Sequence, residues 1–256
     1  MITTIIATKN GEKYIGKALD SVFKQSVSSH PNFEVIVISD GSTDNTISFV
    51  KNNFPKVIII ENKESVGPGT ARNIGISHAK NEYIAILDDD DWWINSDKLK
   101  NQIEFLETHK NCLVVGAEKT EFVSENGTHL WWYTHQTDTR VIHDNMLVRC
   151  PIINSSVVFR KSAYDSVGGY SDLRLAEDYD LWLRLGKIGD IANIPNTETA
   201  YTLRKNSASG SNGKHSTRLA RIVLGLVKKY RQDYPNYTKA LLKGYLRIIK
   251  NFTIGF

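Results

Sequence analysis

Cysteine is scarce in this chain, with two in 256 residues, and neither Cys112 nor Cys150 sits at a metal-binding or redox spacing. No disulfide framework follows from that count. No apolar run approaches the roughly 20 residues that a membrane-spanning helix needs. The segment Met1–Ala7 lacks the basic flank and cleavage site of a signal peptide and reads as a first strand, so a cytosolic location is expected. There is no internal repeat, and the one small polar tract is KNSASGSNG, Lys205–Gly213, which reads as a loop. What remains is an ordinary balance, 41% hydrophobic and 23% charged, which fits one large globular domain or one domain with a small appendage.

The net charge of +4 hides an asymmetry. From Tyr201 to Phe256 there are twelve Lys or Arg and one acid, Asp233, leaving twenty basic and twenty-seven acidic residues before Tyr201. A basic tail on an acidic body suits a polyanionic partner such as a membrane surface, a diphosphate or nucleic acid, or it is a solvated helical face.

The first half alternates strand and helix signals. Thr3–Thr8, Phe33–Ser39, Val57–Ile60 and Tyr83–Leu87 are β-branched runs of the kind buried on both faces of a sheet. Between them, Tyr14–Gln25 groups Ile15, Ala18, Leu19 and Val22 on one helical face, and Thr43–Asn53 groups Ile47 and Val50. Such alternation predicts an α/β fold with a mostly parallel, Rossmann-like sheet flanked by helices, and ligands at the carboxyl ends of its strands. Further on, Asn126-Gly127 predicts a hairpin within Glu121–Tyr133, Ser155–Phe159 a strand, and Glu177 to Lys187 a helix. Two basic amphipathic helices, His215–Tyr230 and Tyr237–Lys250, form a C-terminal extension.

Polar clusters follow the strands. Thr8-Lys9-Asn10-Gly11 is a turn where glycine permits close approach. In Asp40-Gly41-Ser42-Thr43-Asp44, Ser42 or Thr43 suits a helix N-cap, while Asp40 faces the crevice and could accept a pyrimidine imino hydrogen. Gly67-Pro68-Gly69 precedes a helix carrying Arg72, either an anion site near the helix's positive end or a surface arginine. Asp88-Asp89-Asp90-Asp91 ends the fourth strand, and four adjacent carboxylates repel unless a cation holds them. Ser96 and Asp97 already supply an acidic flank for the helix Ser96–His109, so Mg²⁺ or Mn²⁺ binding is the better reading. On Glu177–Leu185, helical spacing puts Asp178 on the apolar stripe with Leu181, Trp182 and Leu185, as a cap or a general base, and Asp180 over Arg184 on the polar face.

Taken in order, TIIATKNG, FEVIVISDGSTDNT, SVGPGTARNIGISHAKNEYIAILDDDDWW, SSVVFRKSAYDSVGGY and AEDYDLWLRL resemble the inverting family-two glycosyltransferases with the GT-A fold. That resemblance covers Thr3 to about Leu185. It implies transfer of a sugar from a nucleoside diphosphate, UDP first among candidates, to a hydroxyl of a glycan or lipid-linked glycan in bacterial surface polysaccharide assembly. By the same resemblance Thr8, Asp40, Arg72, Asp88 and Asp89 line the nucleotide site. Asp90, with Asp88, holds Mn²⁺ or Mg²⁺, and Asp178 of the Glu177-Asp178 pair is the catalytic base. Related chains often carry a histidine after the last strand; this one has Arg204-Lys205 instead. The implied division is 1–110 for the donor, 111–214 for the acceptor and 215–256 for the basic extension. Peripheral contact with the inner face of the membrane through that extension, and a homodimer, are further expectations; a nucleic acid partner is not. The alternative is an inactive carbohydrate- or membrane-binding module on the same fold. A sugar-nucleotide pyrophosphorylase is disfavoured, since no glycine- and arginine-rich loop follows the first strand.

Overall fold

A computed structural model of the chain describes residues 1–204 and 213–253. The first half alternates as expected through β1 (Ile2–Thr8), α1 (Ile15–Phe23), β2 (Phe33–Asp40), α2 (Thr46–Asn53), β3 (Ile58–Asn62), α3 (Pro68–His78) and β4 (Tyr83–Ile86). There follow β5 (Trp92–Trp93), α4 (Lys98–Thr108), β6 (Cys112–Ala117), the hairpin β7 (Lys119–Ser124) and β8 (His129–Thr134), and α5 (Thr139–Asp144). A 3-10 turn, Asn154–Ser156, leads into β9 (Val158–Arg160), α6 (Lys161–Ser166), α7 (Glu177–Leu185), β10 (Asp190–Ile194) and β11 (Thr199–Leu203). The helices α8 (Gly213–Lys229) and α9 (Tyr237–Thr253) complete the described chain.

The main sheet has the order β10-β6-β9-β4-β1-β2-β3, and its pairings are parallel except where β9 runs antiparallel to β4 and β6. Strand residues alternate between two cores. Ile5, Ile36, Ile38, Ile84 and Ile86 pack on one face, and Ile6, Val35, Val37 and Ala85 on the other. This two-sided burial is what continuous β-branched runs encode. The exception is β3, expected to be equally buried: it is the sheet's edge, and Ile58 is exposed.

The chain leaves β1 for β2 on one side and returns to β4 on the other. The carboxyl ends of β1 and β4 therefore flank a crevice at a switch point in strand order. A second sheet, β5-β11-β7-β8, borders it. Its hairpin turns at Gly127 with φ of 81°, in the left-handed region that the Asn-Gly signal anticipates. The outer strand β8 exposes Trp131, Trp132 and Tyr133.

Two expectations about helix residues need correction. The hydroxyls of Ser42 and Thr43 do not cap α2; Asp44 Oδ1 accepts from Thr46 N at 3.1 Å instead. Asp97 stands at the N-cap of α4 as the expected acidic flank, without a side-chain cap hydrogen bond, and the helix begins with a buried Lys98 whose Nζ donates to Gln102 Oε1 at 2.5 Å. Asp180 does pair with Arg184, at 3.0 Å, yet it is buried rather than on a polar face. Its other oxygen receives Lys229 Nζ at 3.1 Å and the Tyr230 hydroxyl at 2.8 Å, while Tyr234 donates to Leu183 O at 2.6 Å. These bonds lock the end of α8 onto α7. The apolar stripe of α8 follows them inward: Leu226, Val227 and Tyr230 belong to the main core, with Val223 packed against it, and are not offered to a membrane. Among the described residues no helix is long and apolar enough to cross a membrane.

Candidate active site

Each acid of the Asp88–Asp91 turn has its own protein partner. Asp88 Oδ1 receives Arg72 at 2.6 Å and Asn154 Nδ2 at 3.1 Å. Asp89 is buried and accepts the Thr8 hydroxyl at 2.5 Å, and Gly11 packs against this pair too closely for any side chain. Asp90 pairs with Arg204 at 2.6 Å. Asp91 is buried, accepting from the Ser155 hydroxyl and from Thr202 N at 2.7 Å, which fastens β11 to the turn. The crowding expected to demand a cation is thus relieved in part by arginines, hydroxyls and an amide. Asp91 is structural, whereas Asp88, Asp89 and Asp90 border a cavity of about 530 Å³.

Burial and the neighbouring Asp89 raise the Asp90 carboxyl to about 7, with Arg204 opposing and Asp88 adding to the rise. A group held that far up gains most from a nearby cation, which favours its charged form. Among the described residues no three His, Cys, Asp or Glu side chains gather as a metal-holding group. One or two carboxylates completed by substrate phosphates is instead the usual arrangement for a small hard cation. Asp90 and Asp88 fit that donor set.

The Glu177-Asp178 pair opens α7 on the opposite wall of the same cavity. Glu177 is buried and bound to Arg72 NH1 at 2.7 Å, so one guanidinium bridges Glu177 to Asp88. Although burial opposes its charge, Asp88 and Glu177 hold the Arg72 proton firmly. Arg72 is therefore a strut within the site, tying Glu177 to Asp88. Asp178 differs from its neighbour: among the described residues it accepts from its own helix, Tyr179 N at 2.7 Å, and it borders the cavity. Burial and the adjacent Glu177 raise its carboxyl to about 7. Of the two acids, Asp178 is the one equipped to take a proton near neutrality.

Asp40 is held by the loop that leads into α3. It accepts four hydrogen bonds: Asn62 Nδ2 at 3.0 Å, Ser65 Oγ at 2.7 Å, Val66 N at 2.9 Å and Gly67 N at 3.0 Å. Although burial opposes its charge, these donors hold its carboxyl below the usual range. Gly67 is the N-cap of α3, so Asp40 is itself the anion at that helix's positive end. Its four lone-pair positions are filled, and a pyrimidine imino group reaches it only by displacing a donor. Asp40→Asn turns an NH₂ group toward two of those donors. A stability loss of about 1–3 kcal/mol is expected in chemical denaturation, and an unchanged midpoint would remove Asp40 from this role.

Sequence patterns did not single out Asn154, Ser155 or Thr202, whose partners are 64 to 112 positions away. Arg204 was visible as a cation after a strand, but its pairing with Asp90 was not. Lys205 and the loop Lys205–Gly213, up to residue 212, lie outside the described residues.

Comparison with known proteins agrees with this geometry. Residues 3–168 match the family Glycosyl transferase family 2. The chain is 29% identical over 226 residues to the Escherichia coli UDP-Glc:alpha-D-GlcNAc-diphosphoundecaprenol beta-1,3-glucosyltransferase WfaP, covering 87% of this chain and 85% of that one. It is 27% identical over 201 residues to the Erwinia amylovora amylovoran biosynthesis glycosyltransferase AmsE, covering 76% and 73%. Among solved structures, the Pyrobaculum calidifontis mannosyltransferase PcManGT in complex with GDP-Man and Mn²⁺ superposes with a TM-score of 0.69 at 18% identity, covering 100% of this chain and 76% of that one. The S. aureus TarS fragment 1-349 in complex with UDP gives 0.63 at 20% identity, covering 88% and 65%. Those likenesses establish the GT-A fold. With two-thirds of its length matched to the family, including β1 through β4 and the acid turn, the chain belongs to glycosyl transferase family 2 and is a glycosyltransferase.

Proposed function

We propose that this glycosyltransferase inverts the anomeric carbon of its donor in a single displacement, with Asp178 as general base. The observation that carries the reading is Asp178, its carboxyl raised to about 7, facing the cavity that Asp88 and Asp90 also border. The acceptor hydroxyl passes its proton to Asp178 as its oxygen attacks the anomeric carbon and the sugar–phosphate bond breaks, releasing the nucleoside diphosphate. Glu177, bound to Arg72, positions the start of α7.

The donor is a nucleoside-diphosphate sugar, with UDP as the first candidate; WfaP acts on UDP-Glc, and TarS has been solved with UDP and with UDP-GlcNAc. Thr8, Asp40 and Asp89 support its nucleotide end, residues 1–110 forming the donor half and 111–214 the acceptor half. The acceptor is a glycan or lipid-linked glycan of a bacterial surface polysaccharide, in keeping with the names of WfaP and AmsE. The basic extension 215–256 keeps the enzyme at the inner face of the membrane. Asp90, with Asp88, would hold Mn²⁺ or Mg²⁺ near Arg204, and when bound the ion would supply charge stabilisation for the departing diphosphate.

Calorimetry with UDP tests the donor and metal parts together. Affinity should fall at least about tenfold, or 1.4 kcal/mol, when EDTA replaces Mn²⁺. Asp90→Ala should bind UDP equally with and without the ion. Equal affinity in both conditions for the unmodified protein would sink the metal reading.

A further inference from the structure

Away from the acids, the same cavity changes character. Its wall there is apolar, made by Leu147, Val148, Leu219, Val223 and Ala240, and Arg149, Lys243 and Arg247 also border it. These cations come from two separate parts of the chain: Arg149 follows α5, while Lys243 and Arg247 lie one turn apart on α9. Lys243 is anchored by donating to Val148 O at 3.1 Å. Besides partial burial, the charges acting on Lys243 are Arg149, Arg247 and Lys239, all of its own sign, and each lowers its hold on the proton.

Three or four cations gathered at one opening repel one another, and α9 carries no acid to relieve them. An anion with several acceptor oxygens removes that cost. The adjoining apolar wall adds a second requirement, since an inorganic anion would leave it bare. A third feature lies on the outer side of α9. Leu242, Tyr245, Leu246 and Ile249 form a stripe at helical spacing, 45–62% exposed, with the row Lys239, Lys243 and Arg247 along one side of it. An exposed apolar stripe beside a row of cations suits an interface between water and hydrocarbon.

We propose that Arg149, Lys243 and Arg247 bind the phosphate or diphosphate of an acceptor whose apolar chain lies against the α8–α9 wall, so that the sugar it carries reaches Asp178. The proposal rests on the transferase reading above and names the acceptor's chemistry: an anionic head on a hydrocarbon tail. It assigns α9 to the acceptor side of the reaction. Specificity then comes from the pairing of features, because head and tail each meet a complementary surface.

The probes are geranyl diphosphate, geraniol and inorganic pyrophosphate, titrated calorimetrically into the full chain with UDP and Mn²⁺ saturating so that the donor site is filled. Geranyl diphosphate should bind at least about tenfold more tightly than either other probe. The double variant Lys243→Gln/Arg247→Gln should lose that advantage and bind geraniol as before. Its UDP affinity and acceptor-free hydrolysis of UDP-sugar should not change. Should the double variant fail to fold, Arg149→Gln supplies the same comparison from outside α9. The proposal is overturned if geranyl diphosphate binds no better than geraniol or pyrophosphate, or if the variants bind it normally. Absence of UDP binding in the unmodified protein, by contrast, would count against the donor reading and leave the geranyl comparison to be read by itself.

Discussion

Asp178→Asn is expected to lower turnover by about 10²–10⁴-fold while leaving UDP affinity within twofold or so, because a general base contributes to the transition state and not to donor binding. In the unmodified enzyme, activity should rise with pH through about 7 as Asp178 loses its proton, and the variant's residual activity should lack that rise. Stability moves the opposite way. A carboxyl raised to about 7 in the fold, against about 4 when unfolded, binds its proton more tightly in the folded state. Its contribution to stability is therefore complete below pH 4 and is lost as the pH climbs to 7. Above pH 7 the unmodified protein carries the cost of a half-buried charge that the amide variant avoids. Asp178→Asn should thus have the higher melting temperature at pH 8 and the lower activity. Unchanged turnover on acceptor would sink the assignment, and a lower melting temperature at pH 8 would sink the electrostatic account.

The second large effect belongs to Arg72. Its side chain is 8% exposed and holds Asp88 on one wall and Glu177 on the other. Removing one partner of a buried ion pair leaves uncompensated charge and costs about 3–5 kcal/mol, so Arg72→Met should be destabilised by that amount in denaturant. Neutralising one stranded acid, in Arg72→Met/Glu177→Gln, should recover part of the loss, since the double variant buries one charge fewer. The pH profile gives a separate readout. Glu177 raises the Asp178 carboxyl and Arg72 lowers it. The activity midpoint should accordingly move down in Glu177→Gln and up in Arg72→Met. A destabilised Arg72→Met with an unmoved midpoint would make Arg72 a packing residue only; a fully stable one would mean the bridge does not form.

The two effects share a cause. A single guanidinium pairs with Glu177, while among the described residues its neighbour Asp178 has no ion-pair partner, so adjacent acids of similar chemistry acquire different duties. Nothing in the dipeptide itself distinguishes them. The distinction comes from a residue 105 positions earlier in the chain.

What the chain encoded locally was the alternation of strand and helix, the two-sided burial of β1, β2 and β4, the Asn126-Gly127 hairpin and the acid turn at a strand end. Each depends on neighbours within a few positions: side-chain period, β-branching, or a glycine free to take positive φ. The quoted motifs also carried the resemblance to the family. Tertiary structure decided which polar groups meet. It placed Arg72 between Asp88 and Glu177, gave Asp40 four donors from the loop before α3, and buried Asp180 beneath α8. It also divided the four aspartates, sending Asp91 inward to Thr202 while three border the cavity. Charge partners and burial are set by chain segments far apart in sequence, and no local period records them. For that reason strand ends pointed to the site, whereas only the assembled fold assigned each carboxylate its work.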